Sequence, residues 1–248
     1  MLLTGYGIRE WGTALAATAA LTIPSALAGW WPVAAMAVLA FVAVAWFFRD
    51  PMGRRPASDA PLDLASPADG RVSAVLRSPS HEGVGGGPAV VVRIFLSVLD
   101  VHVNRMPAAV EVVGCDHRPG RYLDARTEAS ATLNESNLVR LRLEDGRPLG
   151  VKQISGAIAR RIVCPISAGD RFDRGERFGM IKIGSTTELV VPDEPGLEVL
   201  VAPGDRVVGG VSILVRMPAA TSVPSATSDQ AATSQSPSSQ PPPVSSGH

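Results

Sequence analysis

From Trp11 to Phe48 the chain carries no charged side chain, a run of 38 residues. A bilayer crossing takes about 20 apolar residues. Pro24 and the run Gly29, Trp30, Trp31, Pro32 divide the stretch into two arms, each slightly short for a span. The pattern predicts an N-terminal helical membrane hairpin over residues 1–48, spanning or re-entrant. All four tryptophans lie in it, near the ends of the arms, a placement that suits a membrane interface. Arg9 precedes the stretch, and Arg49, Arg54 and Arg55 follow it. The positive-inside tendency then places the rest of the chain on the cytoplasmic face of the cell membrane. A cleaved signal peptide is disfavoured, because the stretch is too long and no cleavage site follows it.

Residues 49–61, RDPMGRRPASDAP, hold three prolines and a glycine and predict an irregular junction. Beyond it the apolar residues come in short runs with period-two character, among them RVSAVL, AVVVRIFLSV, NLVRLRL and ELVVP. Glycine, proline and aspartate punctuate them. This predicts a mainly β fold over residues 62–218, an antiparallel β-sandwich or barrel-like domain with one or two short helices. Residues 201–214, VAPGDRVVGGVSIL, resemble a lipoyl-like strand–turn–strand element. Residues 219–248 hold nine serines, five prolines and one charged residue, Asp229, and predict a disordered tail.

Lysine plus arginine and aspartate plus glutamate are 23 each, so no basic face for nucleic acid is suggested. Cys115 and Cys164 are too few for a disulfide scaffold, lack metal-site spacing, and are expected to be small buried hydrophobes. No zinc motif, Walker lysine or GxSxG elbow occurs, and no metal is expected. Of the four histidines, His248 lies in the tail, His81 in a glycine-rich bend, and His117 in what reads as a turn. His102 stands where a strongly apolar strand ends, in LDVHVNRMP, beside Asp100, Asn104 and Arg105. Residues i and i+2 share a strand face, so Asp100 and His102 can point together. Asp69, in SPADGRV, reads as a hairpin-type turn residue. In FGMIKIGSTTELVVP, the break GSTT between two apolar runs is a plain turn or a self-processing bond. Gly184 permits strained dihedrals, and Ser185 offers a hydroxyl beside its carbonyl. NESN, with Asn134 and Asn137, shapes a pocket or a turn.

SPADGRV, LDVHVNRMP, NESN, QISGAIARRIV and FGMIKIGST, with FFRDP after the apolar stretch, resemble the short-form phosphatidylserine decarboxylases in the right order over about residues 1–217. The resemblance implies a proenzyme that cuts itself between Gly184 and Ser185, giving a β chain of 1–184 and an α chain of 185–248. Ser185 becomes a pyruvoyl group, the covalent cofactor. Its carbonyl forms a Schiff base with phosphatidylserine, which loses carbon dioxide to give phosphatidylethanolamine. Asp69, His102 and Ser185 match the family's catalytic set. Arg105 falls where long-form members carry a second histidine, which leaves His102 to assist processing, decarboxylation or both. Arg105, Asn134, Asn137 and Lys182 are candidate substrate contacts, and Arg49, Arg54, Arg160 and Lys182 could meet a lipid surface or phosphate. The implied partners are a membrane phospholipid and the two chains of one proenzyme, with homo-oligomers common in the family. Alternatives are a decarboxylase of a related serine-bearing lipid, such as an ether lipid, and an unprocessed membrane-anchored adaptor.

Overall fold

A computed structural model describes residues 2–157, 161–182 and 184–219. The predicted tail therefore lies outside the described residues from 220 onward, as does Arg160. The charge-free stretch, with Arg9 and Glu10 before it, folds as two packed helices, α1 (Ile8–Leu27) and α2 (Trp31–Phe47). Pro24 does not divide the arms. It sits in the last turn of α1, where a missing N–H costs one hydrogen bond, and the chain reverses at Gly29 instead. Pro32 then opens α2 at the first turn, where proline is tolerated. Leu15, Leu21, Leu27, Met36, Leu39 and Trp46 remain exposed on the pair. Among the described residues no helix is long and apolar enough to cross a membrane.

The remainder is mainly β and antiparallel. Its strands of three or more residues are β1 (Asp63–Ala65), β2 (Gly70–Ser78), β3 (Ala89–Leu96), β4 (Val103–Arg105), β5 (Val110–Arg118), β6 (Ser136–Leu143), β7 (Pro148–Ile154), β8 (Arg177–Ile181), β9 (Ser185–Pro192) and β10 (Ile213–Arg216). One short helix, α3 (Glu128–Leu133), lies between β5 and β6. An eight-stranded sheet runs 171–172, β5, β6, β7, β9, β3, β2, 206–207. A second sheet orders 162–163, β8, β4, and a third orders 198–199, β10, β1. Strand β9 is central, paired to β3 from Ser185↔Leu96 and to β7 from Thr186↔Ile154. Period two then sorts its side chains. Leu189 and Val191 join a core shared by all three sheets, with Ile94, Leu96, Val139, Val151, Phe178 and Leu214. Val190, on the other face, packs with Val84, Ala89 and Val91.

Several local expectations change. Strand β1 belongs to a different sheet from β2, so Asp69 marks a corner between sheets rather than a hairpin. Gly70 is required there: its φ is +149°, and a Cβ would stand 2.2 Å from the Phe95 carbonyl oxygen. Residues 206–207 pair with β2 while β10 pairs with β1, so the 201–214 segment is not a hairpin of two mutually paired strands. His117 lies within β5, not in a turn, and contacts Glu135 at 2.9 Å. Cys115 is exposed and Cys164 half-buried, both as free thiols. The open end of the hairpin, at the C-terminus of α2, packs on the β domain through Phe47, Phe48 and Met180.

Candidate active site

The end of the eight-stranded sheet nearest the hairpin collects buried polar groups. Ser185 opens β9, fully buried, and its Oγ has no hydrogen-bond partner. Gly184 before it has φ +63°, and a Cβ there would meet nothing within 4 Å. This is the left-handed region that glycine enters without strain.

His102 is reached from the same strand ends. Leu96, opposite Ser185, leads through the Ser97–Asp100 turn to His102, whose carbonyl accepts the Ile181 N–H at 3.2 Å. The imidazole is fully buried and packs on the Phe47 ring, centroids 4.5 Å apart. Nδ1 lies 3.0 Å from the Asp100 carbonyl oxygen. A carbonyl only accepts, so Nδ1 carries the proton and Nε2 keeps its lone pair. Nε2 is buried and unpaired. Burial disfavours the imidazolium and lowers the pKa to about 4, against the smaller opposing pull of the Asp100 carbonyl and of the Asp100 and Asp69 charges. At neutral pH His102 is an uncharged base with an unused acceptor.

The Asp69 carboxylate is held by Arg54, at 2.5 and 2.9 Å, and accepts the Gly209 N–H at 2.9 Å. It acts on His102 through its charge, and no hydrogen bond between the two is present. Asp100 in turn accepts from Ser97 and from Arg206.

The candidate substrate contacts divide. The Arg105 guanidinium donates to Asp50 at 2.7 Å and to the Gly175 carbonyl at 3.0 Å, linking the β domain to the junction. Asn134 bonds the Leu123 backbone and the Ser155 carbonyl, which fastens the loop before it. Asn137 belongs to a buried ladder that composition did not expose. Its Nδ2 donates to Gln153, Gln153 donates to Asn104, and Asn104 donates to Thr187, at 3.1, 2.9 and 3.1 Å. Gln153 lies between Asn137 and Thr187 in register; Ser155 is two residues along its strand from Gln153, and Ser185 two residues from Thr187. Ser155 is also fully buried with an unpaired Oγ. The signal for these residues was polar side chains at i and i+2 in apolar strands, Gln153 with Ser155 and Ser185 with Thr187.

Lys182 is buried and donates to Glu10 of α1. A groove of about 620 Å³ opens there, walled by Ala14, Ala43, Val44, Phe47, Phe48 and Val98, with Glu10, Arg161 and Lys182 at its polar edge. Arg54 is bound to Asp69, and Arg49 donates to the carbonyls of Trp46 and Leu99. Among the described residues no cluster of side chains could hold a metal ion.

The fold and this site describe a β-rich protein that keeps a buried, unpaired serine behind a left-handed glycine, with a neutral imidazole at the same strand ends. The residues that supply this site fall within the stretch matched by one family model. That model is phosphatidylserine decarboxylase; it covers residues 41–215, and the chain belongs to this family. Among its relatives is the phosphatidylserine decarboxylase proenzyme of Gluconobacter oxydans (strain 621H), 48% identical over 174 residues, 69% of this chain and 76% of the relative. The proenzyme of the same name from Symbiobacterium thermophilum is 42% identical over 210 residues, 85% of this chain and 95% of the relative. That from Rhodopirellula baltica is 41% identical over 189 residues, 75% and 77%.

Proposed function

We propose that this chain is a phosphatidylserine decarboxylase made as a proenzyme, which cuts itself between Gly184 and Ser185 into residues 1–184 and 185–248. The observation that carries this is the pair of buried, unpartnered atoms, Ser185 Oγ and His102 Nε2. Buried polar atoms in folded proteins are nearly always paired, and leaving one unpaired costs about 1–3 kcal/mol. A reacting site is a physical reason to carry that cost.

In the step we infer, His102 Nε2 takes the hydroxyl proton of Ser185, and Oγ adds to the Gly184 carbonyl carbon. The C–N bond between the two residues breaks, the nitrogen takes a proton, and an ester remains. Loss of the Ser185 Cα proton then expels Gly184 as a carboxylate and leaves a dehydroalanine. Its imine tautomer takes up one water and releases one ammonia, with no oxidant required. The residue left at position 185 is a pyruvoyl group, and the open space beside Gly184 and the unpaired Oγ both fit its formation. That group supplies a carbonyl that withdraws electrons from a bound primary amine. The carbon that loses carbon dioxide must take up one proton; His102 Nε2, which binds a proton drawn from solvent while Nδ1 stays on the Asp100 carbonyl, passes it to that carbon and returns to the neutral form. Gln153, Asn104 and Asn137 fix the strand ends that carry residue 185.

The apolar surface of α1 and α2 supports attachment to a membrane, lying in the interface or re-entering it, and the flanking Arg9, Arg49, Arg54 and Arg55 favour its cytoplasmic face. The groove beside them would let acyl chains stay among apolar walls while Lys182 and Arg161 face the phosphate. The core shared by the three sheets supports a layered sandwich as the catalytic domain, over residues 62–218.

The test is the intact mass of detergent-purified protein. Two chains divided at Gly184–Ser185, the smaller lighter by one ammonia than a serine-terminated peptide 185–248, support the proposal. Release of carbon dioxide from phosphatidylserine vesicles then tests the substrate, with a serine ether lipid as the competitor. A single undivided chain in a preparation that binds vesicles would overturn it in favour of a membrane adaptor.

A further inference from the structure

Glu10 lies outside the stretch matched by the family model, on α1, yet its carboxylate reaches Lys182 Nζ, two residues before Gly184. The Arg161 guanidinium stands 3.9 Å from the same carboxylate, and the Lys182 N–H donates to the Arg161 carbonyl at 3.1 Å. Residue 182 is thus pinned twice, by its backbone to the β domain and by its side chain to α1.

The other end of this link is also fixed. Asp50, just past α2, receives Arg105 at 2.7 Å and Arg177 at 2.5 Å. The Thr4 N–H donates to the Phe48 carbonyl at 2.9 Å, and the Trp11 indole donates to the Thr4 carbonyl at 3.1 Å. Contacts therefore run from the β domain through the junction into α1 and back to Lys182. The Lys182 side chain is 9% exposed, in a groove with apolar walls, while Glu10 is 37% exposed, so the pair is shielded from solvent on the lysine side only.

We propose that Glu10 is a positioning residue for self-cleavage: through Lys182 it holds the segment entering Gly184 so that the Gly184 carbonyl stands within reach of Ser185 Oγ. Cutting then depends on a seated hairpin, and a chain whose hairpin is displaced stays a precursor. This rests on the Gly184–Ser185 bond being the one that is cut. Attack needs the reacting atoms about 3–3.5 Å apart, and a misplacement of about 1 Å can cost 100-fold in rate.

The experiment follows the full chain, made by cell-free synthesis into phospholipid nanodiscs, as it converts from one chain to two. Glu10→Gln, which keeps size and loses charge, should slow conversion by about 10-fold or more. Lys182→Glu should do the same, and the exchanged pair Glu10→Lys with Lys182→Glu should recover most of the loss. Glu10→Asp, the second variant should the others aggregate, should cut faster than Glu10→Gln at equal circular-dichroism signal. A merely structural role would lower folded protein without this charge rescue. Glu10→Gln dividing at the wild-type rate, or an exchange no faster than either single variant, overturns the proposal. A wild-type chain that never divides removes the cleavage site itself, and the role of Glu10 with it.

Discussion

The burial of His102 sets the pH at which self-cleavage should fail. The imidazole is fully buried against Phe47, and desolvation lowers its pKa from 6.5 to about 4. Only the neutral ring can take the Ser185 proton. At pH 5 a base with a pKa near 4 is about 90% neutral, whereas one at 6.5 is about 3% neutral, a difference of about 30-fold. Freshly synthesised proenzyme, shifted to buffers from pH 8 to pH 4.5 and followed by gel or mass, should therefore divide at a nearly constant rate down to about pH 5. The same shift bears on stability. The folded pKa lies below the unfolded one, so the contribution is full above about pH 6.5 and disappears as the pH falls through about 4; it amounts to about 3 kcal/mol. Most of it is already lost at pH 4.5, so rates are best read at pH 5 and above, with folded protein checked by circular dichroism at each pH. A rate that halves near pH 6.5 would refute a buried, neutral His102 as the base.

Ser185→Ala should abolish division and decarboxylation together, because both need the same hydroxyl; a divided Ser185→Ala chain on mass analysis would move the cleavage site elsewhere. Gln153→Leu leaves Asn104 Oδ1 and Asn137 Nδ2 buried without their partner, and should destabilise the fold by about 2–5 kcal/mol in urea titration. Asp69→Asn strips Arg54, itself only 10% exposed, of its counter-ion, and should cost about 3 kcal/mol; an unchanged urea midpoint would show that the pair is well hydrated.

The charge-free stretch made the helix pair legible, because 38 residues without a charge cannot form an ordinary surface element. Period-two runs made β2, β3, β6 and β9 legible for the same local reason: alternation follows from the pleat. Pro24 misled, since a proline in a last turn breaks less than one at a helix centre. His102 and Ser185 stood out as a polar residue at an apolar strand end and a glycine-preceded hydroxyl. Gln153, Ser155 and Thr187 did not, because a polar residue in a strand normally faces water, and only the register shows that these face inward.

Local chemistry, then, was written in the chain: a left-handed glycine before a serine, a histidine before β4, an apolar pair of arms, and residues that resemble one family. Tertiary structure decided what each group meets. It put Arg54 on Asp69 from 15 residues away and Arg105 on Asp50 from 55 away, and it seated Phe47 on His102. It also joined Glu10 to Lys182 across 172 residues of chain. Periodicity reports which face a side chain takes within its own element. Partners, burial and the resulting proton affinity depend on how separate elements pack, which spacing along one chain does not encode.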